Sequence, residues 1–433
     1  MHDDISSQVD LAPFLGRPLP RWARVRYRLD GAELGDVPAA VAAAFAASPE
    51  AIRPGQRVAL TGGSRGIDRI DVVLRAAVSE VKKRGAIPFI VPAMGSHGGA
   101  TAEGQTAVLA SYGITPESMG CEIRSSMETV LLGETEDGVP VYFDRHAAEA
   151  DAVIPVNRVK PHTDFHGPVE SGLCKMIAIG LGKQKGADTF HSRGFGQFHR
   201  LIPQVARFTL SRVPIPFGLA LVENGLGRLF HVEAVAADHI WQREQELLRL
   251  ARDRMARLPV SRLDVLVLDY IGKDISGLGM DSNVVGRYYT GPTGTGPDIQ
   301  RIVVRDLTEA TEGNAVGIGM ADVVLAQAVA RMDRAKTYMN CLTAKTPEGA
   351  RIALTVDTDR EALAAALACC LQVEPGEARI IRLRDTKHLD EFWASEPVLP
   401  ELLATGRVDL LTDPIPIGFS EQGMFDNTEV PSR

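Results

Sequence analysis

The sequence predicts an α/β protein with two α/β domains and mainly parallel sheets. Short β-branched runs, glycine turns and amphipathic helices alternate over residues 57–113, and a second series of apolar strands and helices begins near residue 262. Strand, glycine loop and helix in alternation are typical of βαβ units, which build parallel sheets. Loops that leave the carboxyl ends of such strands gather ligands, so we expect the active site there, in the cleft between the domains.

The N-terminal half contains the clearest elements. Residues 1–50 indicate an irregular lead-in followed by an alanine-rich helix. The alternation then runs through "RVALT", "IDVVLRAAVSEVKKRG", "IPFIVPA" and "TAEGQTAVLASYG", with the glycine turns "GGSRG" and "MGSHGGA" between strand and helix. Further β structure is predicted at "EIRSS", "TVLLGE", "VPVYF" and the apolar "DAVIPV", and helices at "HRLIPQVARFTL" and "EAVAADHIWQREQELLRLARDRMARL". Helical spacing of apolar residues and period-two alternation distinguish the two types of element.

A domain boundary is expected at "LPVSR", near residue 259. It gives an N-terminal domain of residues 1–258 and a C-terminal domain of residues 259–433. The second domain opens with the buried strand "RLDVLVLDY" and a glycine-rich loop. Its other predicted strands are "RIVVRDL", "RIALTV" and "ARIIRLR", and its predicted helices are "VVLAQAVARM" and "REALAAALACCL".

Composition narrows the class of protein. The 433 residues are 45% hydrophobic, and no apolar run reaches the length of a membrane span. A net charge of −8 argues against nucleic acid as the main partner, because no basic stripe is available to neutralise phosphates. The five scattered cysteines form no CxxC pair or disulfide framework, and the acidic N-terminus is not typical of a secretory signal. We therefore expect a cytoplasmic protein.

The loop "TGGSRG" follows the first clear strand. Backbone amides of Gly62, Gly63 and Ser64 at the start of a helix could hold a phosphate, with Arg65 as the charged partner. The loop differs from the GxGxxG dinucleotide fingerprint in spacing and in its missing third glycine. The alternative is a tight turn with a solvated arginine.

His97 lies among glycines in the corresponding loop of the second unit, "GSHGG". A histidine flanked by residues without side chains is accessible, which suits a general acid or base that titrates near neutrality. The alternative is an ordinary surface histidine.

Two histidines, His162 and His166, follow the apolar strand 151–156, with Asp164 between them. Their spacing of four residues would suit two metal ligands on a helix, but the surrounding prolines and glycine disfavour a helix. A catalytic base at the sheet edge is the better interpretation, with one of the two histidines structural.

Lys175 lies between the glycine turn "SGLC" and the apolar run "MIAIGLG". Partial desolvation of a lysine makes its amine nucleophilic and able to bond covalently to a carbonyl or acyl group. The alternative is a lysine at a helix start with its amine in solvent. The neighbouring Cys174 is expected to act as a small buried hydrophobe. His191, sixteen residues after Lys175, could ligate a metal.

Taken in order, these residues resemble the nickel-dependent lactate racemases and their paralogues. The resemblance rests on an arginine-bearing loop, a "GSH" loop 32 residues later, the segment "PH…SGLCK", and a histidine shortly after it. It is clearest from about residue 57 to residue 195.

The resemblance implies a nickel-pincer nucleotide, a pyridinium cofactor with sulfur donors, tethered covalently through Lys175. It further implies that His191 ligates nickel, that His97 and His162 form the acid/base pair, and that Arg65 holds phosphate or the substrate carboxylate. Other residues implied to bind the cofactor are Gly62, Gly63, Ser64 and Ser171.

The sequence departs from the family pattern at several places. The thirteen residues from His162 to Lys175 exceed the usual spacing, so His166 is an alternative second acid/base. The acidic residue that usually opens the arginine loop is absent. The usual second-domain motif has no clear counterpart, and its place is taken by polar residues that we expect to contact substrate: Lys273, Asp274, Asp281 and Asn283.

The resemblance therefore implies an isomerase, a racemase or epimerase that inverts carbon 2 of a 2-hydroxy acid by hydride transfer through a 2-keto acid. The polar second-domain loop favours a sugar acid or a dicarboxylic hydroxy acid over lactate. Expected partners are the small-molecule substrate and the enzymes that mature the cofactor, with no nucleic acid or membrane. A homo-oligomer is left open. The alternatives are an NAD(P)-dependent 2-hydroxy acid dehydrogenase, which lacks its fingerprint here, and a non-catalytic ligand-binding paralogue.

Overall fold

The computed structural model describes residues 11–48, 51–64, 66–289 and 291–426, with the backbone alone for Gly291 and Pro292. The described chain divides into two compact units. The central unit runs from Gly31 to Met255. The terminal unit combines the two ends of the chain, up to Asp30 and from Ala256 onward.

Strands are numbered along the chain. They are β1 (Arg21–Tyr27), β2 (Arg57–Gly62), β3 (Ile87–Pro92), β4 (Glu122–Ile123), β5 (Thr129–Glu134), β6 (Pro140–Asp144), β7 (Ala152–Ile154), β8 (Val156–Arg158), β9 (Phe217–Glu223), β10 (Leu229–Ala236), β11 (Arg262–Ile271), β12 (Arg287–Tyr288), β13 (Gly291–Pro292), β14 (Asp298–Leu307), β15 (Val323–Leu325), β16 (Leu354–Val356), β17 (Ile380–Leu383), β18 (Glu391–Ser395), β19 (Val408–Leu410) and β20 (Ile415–Pro416).

Helices are numbered in the same way. They are α1 (Ala12–Leu15), α2 (Val37–Ala47), α3 (Ile70–Lys83), α4 (Ala102–Ser111), α5 (Pro116–Met119), α6 (Arg145–Ala148), α7 (Leu173–Lys175), α8 (Lys183–His191), α9 (Phe198–Leu210), α10 (Ile240–Arg254), α11 (Ser282–Val285), α12 (Ala326–Ala330), α13 (Arg334–Ala344), α14 (Asp359–Ala368) and α15 (Leu399–Ala404). Short 3₁₀ turns occupy Gly98–Ala100, Phe195–Gln197, Ala237–His239, Glu309–Thr311, Ile318–Met320, Pro347–Ala350, Pro375–Glu377 and Glu396–Val398. Within the described residues, no helix combines the length and the hydropathy that crossing a membrane requires.

The central unit is built on a four-stranded parallel sheet in the order β4-β3-β2-β7. After their first residue, β2 and β3 are buried throughout, because helices cover such a sheet on its faces. The predicted strand 151–156 is divided at Pro155. Its first part, β7, pairs with β2, and its continuation, β8, pairs in parallel with β9 in a second sheet, β10-β9-β8.

The terminal unit contains a larger mixed sheet. Its strands β16-β15-β14-β11-β17 are parallel, and β18, β1, β19 and β20 extend it with antiparallel pairs. The predicted α/β class with mainly parallel sheets is therefore confirmed. The buried β-branched core of β11 and β14 accounts for the predicted strands "RLDVLVLDY" and "RIVVRDL".

The first strand differs from the predicted irregular lead-in. Trp22, Ala23, Val25 and Tyr27 of β1 are buried, and β1 pairs with β18 near the end of the chain. The predicted N-terminal domain, residues 1–258, contains β1, whereas the structure groups β1 with the terminal unit because its backbone partners lie there. The C-terminal boundary of the central unit follows Met255, and the terminal unit resumes at Ala256.

Two predicted helices were wrong at their N-terminal ends. In the segment from residue 233, Glu233 to Ala236 complete β10, and α10 begins only at Ile240. In "VVLAQAVARM", Val323–Leu325 forms β15 between two parallel neighbours, and only the next five residues are helical. In both cases pairing with neighbouring strands outweighs the local helical pattern.

A buried ion pair joins three parts of the central unit. Lys183 Nζ lies 2.9 Å from Asp144 Oδ2, and both side chains are fully buried. The ammonium also donates to the carbonyl of Pro92 and to Gln105 Oε1, and the amide of Gln105 donates to the carbonyls of Gly95 and His97. Burial lowers the pKa of Lys183, and the neighbouring carboxylate only partly opposes this.

We expect Lys183→Ala to lower the free energy of unfolding of the central unit by about 3–5 kcal/mol, because Asp144 would remain buried without a counter-charge. Replacing both partners, Lys183→Met with Asp144→Leu, should recover part of that loss. Hydrogen exchange of central-unit peptides would measure both. Lys185→Ala, on the exposed side of α8, is the control. If Lys183→Ala lowers the free energy of unfolding no more than Lys185→Ala does, the expectation is contradicted.

Candidate active site

The loops after the parallel strands meet at one edge of the central sheet. Gly62 and Pro92 are paired at the ends of β2 and β3, and the carbonyl of Gly62 accepts the amide of Ala93 at 2.7 Å. Thr61 Oγ1 accepts the amide of Val156 at 2.8 Å, which ties the start of β8 to the same edge. The glycine loops and the segment after β8 therefore come together, as the parallel arrangement predicts.

Lys175 ends the short helix α7, at the start of a π-helical turn over Met176–Gly180. The turn is closed by Leu181 N–H donating to Met176 O at 2.9 Å, an i→i+5 hydrogen bond. Such turns are rare and are found frequently at functional sites. The apolar run predicted after Lys175 is buried here, so the backbone that carries the lysine is fixed in the core.

The loop of His97 packs against this turn. The amide of Gly95 donates to the carbonyl of Gly180 at 3.2 Å. A Cβ at Gly180 would lie 2.6 Å from the carbonyl oxygen of Ala93, so the close approach requires glycine. Within the loop, the amide of His97 donates to Met94 O at 3.1 Å.

Glu244 of α10 lies beneath the residues before Lys175. Its Oε2 accepts the amide of Cys174 at 2.8 Å, and the side chain is almost completely buried. A Cβ at Gly172 would lie 2.3 Å from Glu244 Oε1, so only glycine fits over the carboxyl group. Burial raises the pKa of Glu244 to about 7, against the effect of the amide hydrogen bonds. Burial and Glu244 together raise the pKa of the Cys174 thiol well above its ordinary value, which suits an inert apolar residue.

The amine of Lys175 contacts an imidazole. Lys175 Nζ lies 2.5 Å from His162 Nε2. On the other side of the ring, Nδ1 accepts the amide of Asp164 at 3.0 Å and lies 3.5 Å from Asp164 Oδ2. The ring of Phe165 packs against the imidazole with centroids 4.4 Å apart, and Lys175 Nζ lies 6.0 Å from the Phe165 centroid. An amine, an imidazole and a carboxylate thus follow one another in a largely buried row.

The second histidine of this segment has a different environment. His166 Nδ1 lies 3.3 Å from Oε1 of Glu170, whose side chain is fully buried. Glu170 also accepts the amides of His162 (2.6 Å) and Gly167 (3.1 Å) and the guanidinium of Arg252 (2.5 Å). Burial alone would raise the pKa of Glu170, but these hydrogen bonds and the arginine charge leave it below its ordinary value. Glu170 therefore remains ionised and holds the loop that carries both histidines.

His191 ends α8 and borders the same group of aromatic rings. Its imidazole lies 5.3 Å from the ring of Phe195 and 5.6 Å from that of Phe198, measured between centroids. Phe198 in turn lies 5.4 Å from Phe165, the ring beside Lys175. Among the described residues, no three His, Cys, Asp or Glu side chains are grouped to hold a metal ion.

The remaining predicted cofactor residues lie around the same edge. A Cβ at Gly63 would be 3.4 Å from the methyl carbon of Met176, so this loop faces the π-helical turn. The carbonyl of Ser64 accepts the hydroxyl of Tyr112, and Arg65 lies outside the described residues. Ser171 pairs its backbone with Lys160.

The four predicted substrate residues belong to the terminal unit. Lys273 Nζ donates to the carbonyl of Gly277 at 2.6 Å, and Asp274 accepts the hydroxyl of Thr308. Asp281 and Asn283 are buried and hydrogen-bonded to each other at the start of α11. Internal hydrogen bonds of the unit therefore involve each of these side chains.

Two carboxylates that organise the site were not predicted from sequence. Glu244 occupies the apolar face of α10, four residues after Ile240 and three before Leu247, and a charged residue at such a position is a recognisable signal. Glu170 gives no comparable signal, because an acid beside glycine and serine is ordinary in a surface loop.

Comparisons with known proteins identify one similar family and two similar solved structures. Residues 50–199 match the family model described as the lactate racemase N-terminal domain. The lactate racemase apoprotein from Thermoanaerobacterium thermosaccharolyticum has a similar structure, with a TM-score of 0.52 and 14% identity, over 84% of this chain and 98% of that one. A crystal structure of a Thermotoga maritima protein matches at a TM-score of 0.48 and 14% identity, over 64% of this chain and 72% of that one. No curated protein matches the sequence.

The α/β architecture is thus shared with a structurally characterised racemase. Residues 50–199 contain the site built around Lys175, and they match the lactate racemase N-terminal domain. The predicted resemblance to the lactate racemases is borne out for residues 50–199, which include Lys175, and for the α/β fold.

We expect Glu244→Gln to remove a pH dependence of stability from the central unit. The folded pKa of about 7 exceeds the ordinary value of 4.5 because Glu244 is buried, so folding is favoured while Glu244 keeps its proton. That stability is complete below about pH 4.5 and is lost as the pH rises to about 7, by on the order of 3 kcal/mol. Hydrogen exchange measured at pH 5 and at pH 8 should show that the stability of Glu244→Gln relative to wild type increases from the lower pH to the higher one. An unchanged difference between the two proteins would contradict the assignment.

Proposed function

We propose that this protein is an isomerase that inverts carbon 2 of a 2-hydroxy acid. The observation that carries the proposal is the Lys175 amine held against the His162 imidazole, within the segment that matches the lactate racemase N-terminal domain. A catalytic lysine of this kind needs partial shielding from water and a neighbouring base, and Lys175 is partly buried beside His162.

The proposed cofactor is a nickel-pincer nucleotide joined covalently to Lys175, with His191 as the protein ligand to nickel. Support comes from the aromatic rings that border both residues, since Phe165 lies beside Lys175 and packs on Phe198, which packs on His191. A nucleophilic amine and a neutral imidazole are the donor types that a tether and a nickel site require. When bound, this group would supply the electrophile that accepts hydride from the substrate carbon.

The protein's own contribution is proton transfer and orientation. We assign His97 and His162 as the acid/base pair, because the loop of His97 packs on the turn that follows Lys175 and His162 contacts Lys175 itself. One histidine takes the hydroxyl proton of the substrate, and the other returns a proton when the opposite enantiomer forms. Groups of this type typically contribute about 10²–10⁴-fold in rate each. His166, which is bonded to Glu170, is assigned a structural role.

The proposed substrate is a 2-hydroxy acid more polar than lactate, such as a sugar acid or a dicarboxylic hydroxy acid. Arg65, in the loop after β2, would bind its carboxylate through a bidentate guanidinium. The departure of the segment around Lys273 and Asp274 from the lactate racemase pattern supports a substrate other than lactate. Maturation enzymes in the cytoplasm are the expected source of the cofactor.

Intact mass and metal analysis of protein co-expressed with cofactor maturation enzymes would test the cofactor. We expect a covalent mass increment and about one equivalent of nickel in wild type. Lys175→Ala should lose the increment, and His191→Ala should keep the increment but lose nickel. Lys185→Ala, ten residues along the chain, is the matched control and should behave as wild type. An increment that persists in Lys175→Ala would contradict the tether.

Chiral chromatography of single-enantiomer 2-hydroxy acids would test the reaction. The nickel-loaded protein should interconvert the enantiomers of at least one sugar acid or dicarboxylic hydroxy acid faster than those of lactate. His97→Gln and His162→Gln should each lower kcat by about 10²-fold or more, because each removes a proton-transfer group. Failure of the loaded protein to interconvert any of these acids would contradict the proposal.

A further inference from the structure

The geometry points to a Lys175–His162–Asp164 relay that makes the Lys175 amine an acyl acceptor. This inference rests on the proposed function in one respect, since an acylated Lys175 is the proposed tether. What it adds is the machinery: a nucleophile, a base within hydrogen-bond reach of it, and a third group that orients the base. This is the arrangement by which serine and cysteine nucleophiles are activated in unrelated enzymes.

The distances define the relay. Lys175 Nζ lies 2.5 Å from His162 Nε2, and His162 Nδ1 lies 3.5 Å from Asp164 Oδ2 and 3.0 Å from the Asp164 amide. Nδ1 can therefore accept a hydrogen bond from the amide or donate one to the carboxylate. In the second arrangement Nε2 carries the lone pair and faces the amine, which is what a base for Lys175 requires.

The surroundings fix the base in place. The backbone amide of His162 is bound by the buried Glu170, which is itself paired with Arg252 and His166. The face of the imidazole packs on Phe165. Only 12% of the His162 side chain and 13% of the Asp164 side chain are exposed, so both are largely screened from water. Lys175 is fixed from its own side by the buried segment that follows it.

The chemical step is a simple acyl transfer from an activated donor such as a thioester, acyl phosphate or activated ester. The lone pair of Nζ forms a bond to the acyl carbon, and the bond from that carbon to the leaving group breaks with its electron pair. The proton that Nζ loses passes to His162 Nε2, and Asp164 stabilises the resulting imidazolium. The imidazolium then gives the proton to the leaving group, so no oxidant or reductant is needed.

Acylation also changes what His162 can do. The nitrogen of an amide is not basic, so an acylated Lys175 no longer competes for the proton on His162. The relay thereby assigns two successive roles to one histidine: it first activates the lysine, and afterwards serves as the substrate acid/base. His162 is assigned the first role because its Nε2 contacts the Lys175 amine, whereas His166 contacts Glu170.

Selective acetylation of the full-length, cofactor-free chain would test the relay. The probe is p-nitrophenyl acetate at pH 7, and peptide mass spectrometry measures the acetylation rate at each lysine. Lys185, an exposed lysine ten residues away, is the internal reference. We expect Lys175 to react at least about tenfold faster than Lys185 in wild type, the lower range for base assistance. His162→Gln should bring the Lys175 rate to within about twofold of the Lys185 rate.

Controls separate the relay from a general loss of structure. Asp164→Asn should slow Lys175 at least about threefold while leaving the Lys185 rate and the circular dichroism spectrum unchanged. His231→Gln changes a histidine of β10, outside this loop and bonded to Glu233, and should leave the Lys175 rate unchanged. The pH dependence of the Lys175 acetylation rate separates two roles for His162. If His162 acts as a base, the rate in wild type should reach its plateau at a lower pH than in His162→Gln. If His162 only packs against Lys175, the two pH profiles should have the same shape.

The inference is overturned if Lys175 is no faster than Lys185 in wild type, or if folded His162→Gln and Asp164→Asn keep the wild-type Lys175 rate. Because the assay contains no cofactor or substrate, its outcome is separate from that of the racemisation assay. Selective acetylation without racemisation would count against the proposed function alone, and racemisation without dependence of acetylation on His162 would count against the relay alone.

Discussion

The hydrogen bond from the His162 amide to the buried carboxylate of Glu170 is the constraint on which the site depends. The segment after β8 has little regular structure, so no helix or sheet ladder orients its side chains. A carboxylate that accepts two amides of the loop and an arginine replaces that ladder. Since the imidazole of His162 reaches Lys175 from this loop, the position of the imidazole follows from a carboxylate that binds the backbone of the loop.

A second carboxylate does the same for Lys175. Glu244 binds the amide next to Lys175 from beneath, and the chain passes over it at Gly172, where a side chain would clash. At the other end of the π-helical turn, Gly180 likewise leaves no room for a side chain, because the loop of His97 packs against it. Hydrogen bonds to backbone amides and close-packed glycines thus position the site, in which the Lys175 amine and the His162 imidazole face each other.

The sequence identified the parallel sheets and the segment 157–182, because glycine loops after apolar strands and a lysine beside a buried run are local patterns. It left His162 and His166 as alternatives, since spacing alone does not say which ring meets the amine and which meets Glu170. Glu170 and Lys183 were not found, because their burial depends on partners distant in sequence, Arg252 and Asp144. For the same reason β1 was not predicted, as its partners lie more than 360 residues away.

The pairing of β1 with β18, β19 and β20 has a consequence for biosynthesis. A ribosome makes β1 before the central unit, Gly31–Met255, and the strands that pair with β1 after it, so the central unit emerges while β1 has no strand to join. The terminal sheet closes only by a contact of very long sequence separation, which is entropically slow. The central unit is in effect an insertion within another fold, able to assemble during translation before the later strands of its host are made.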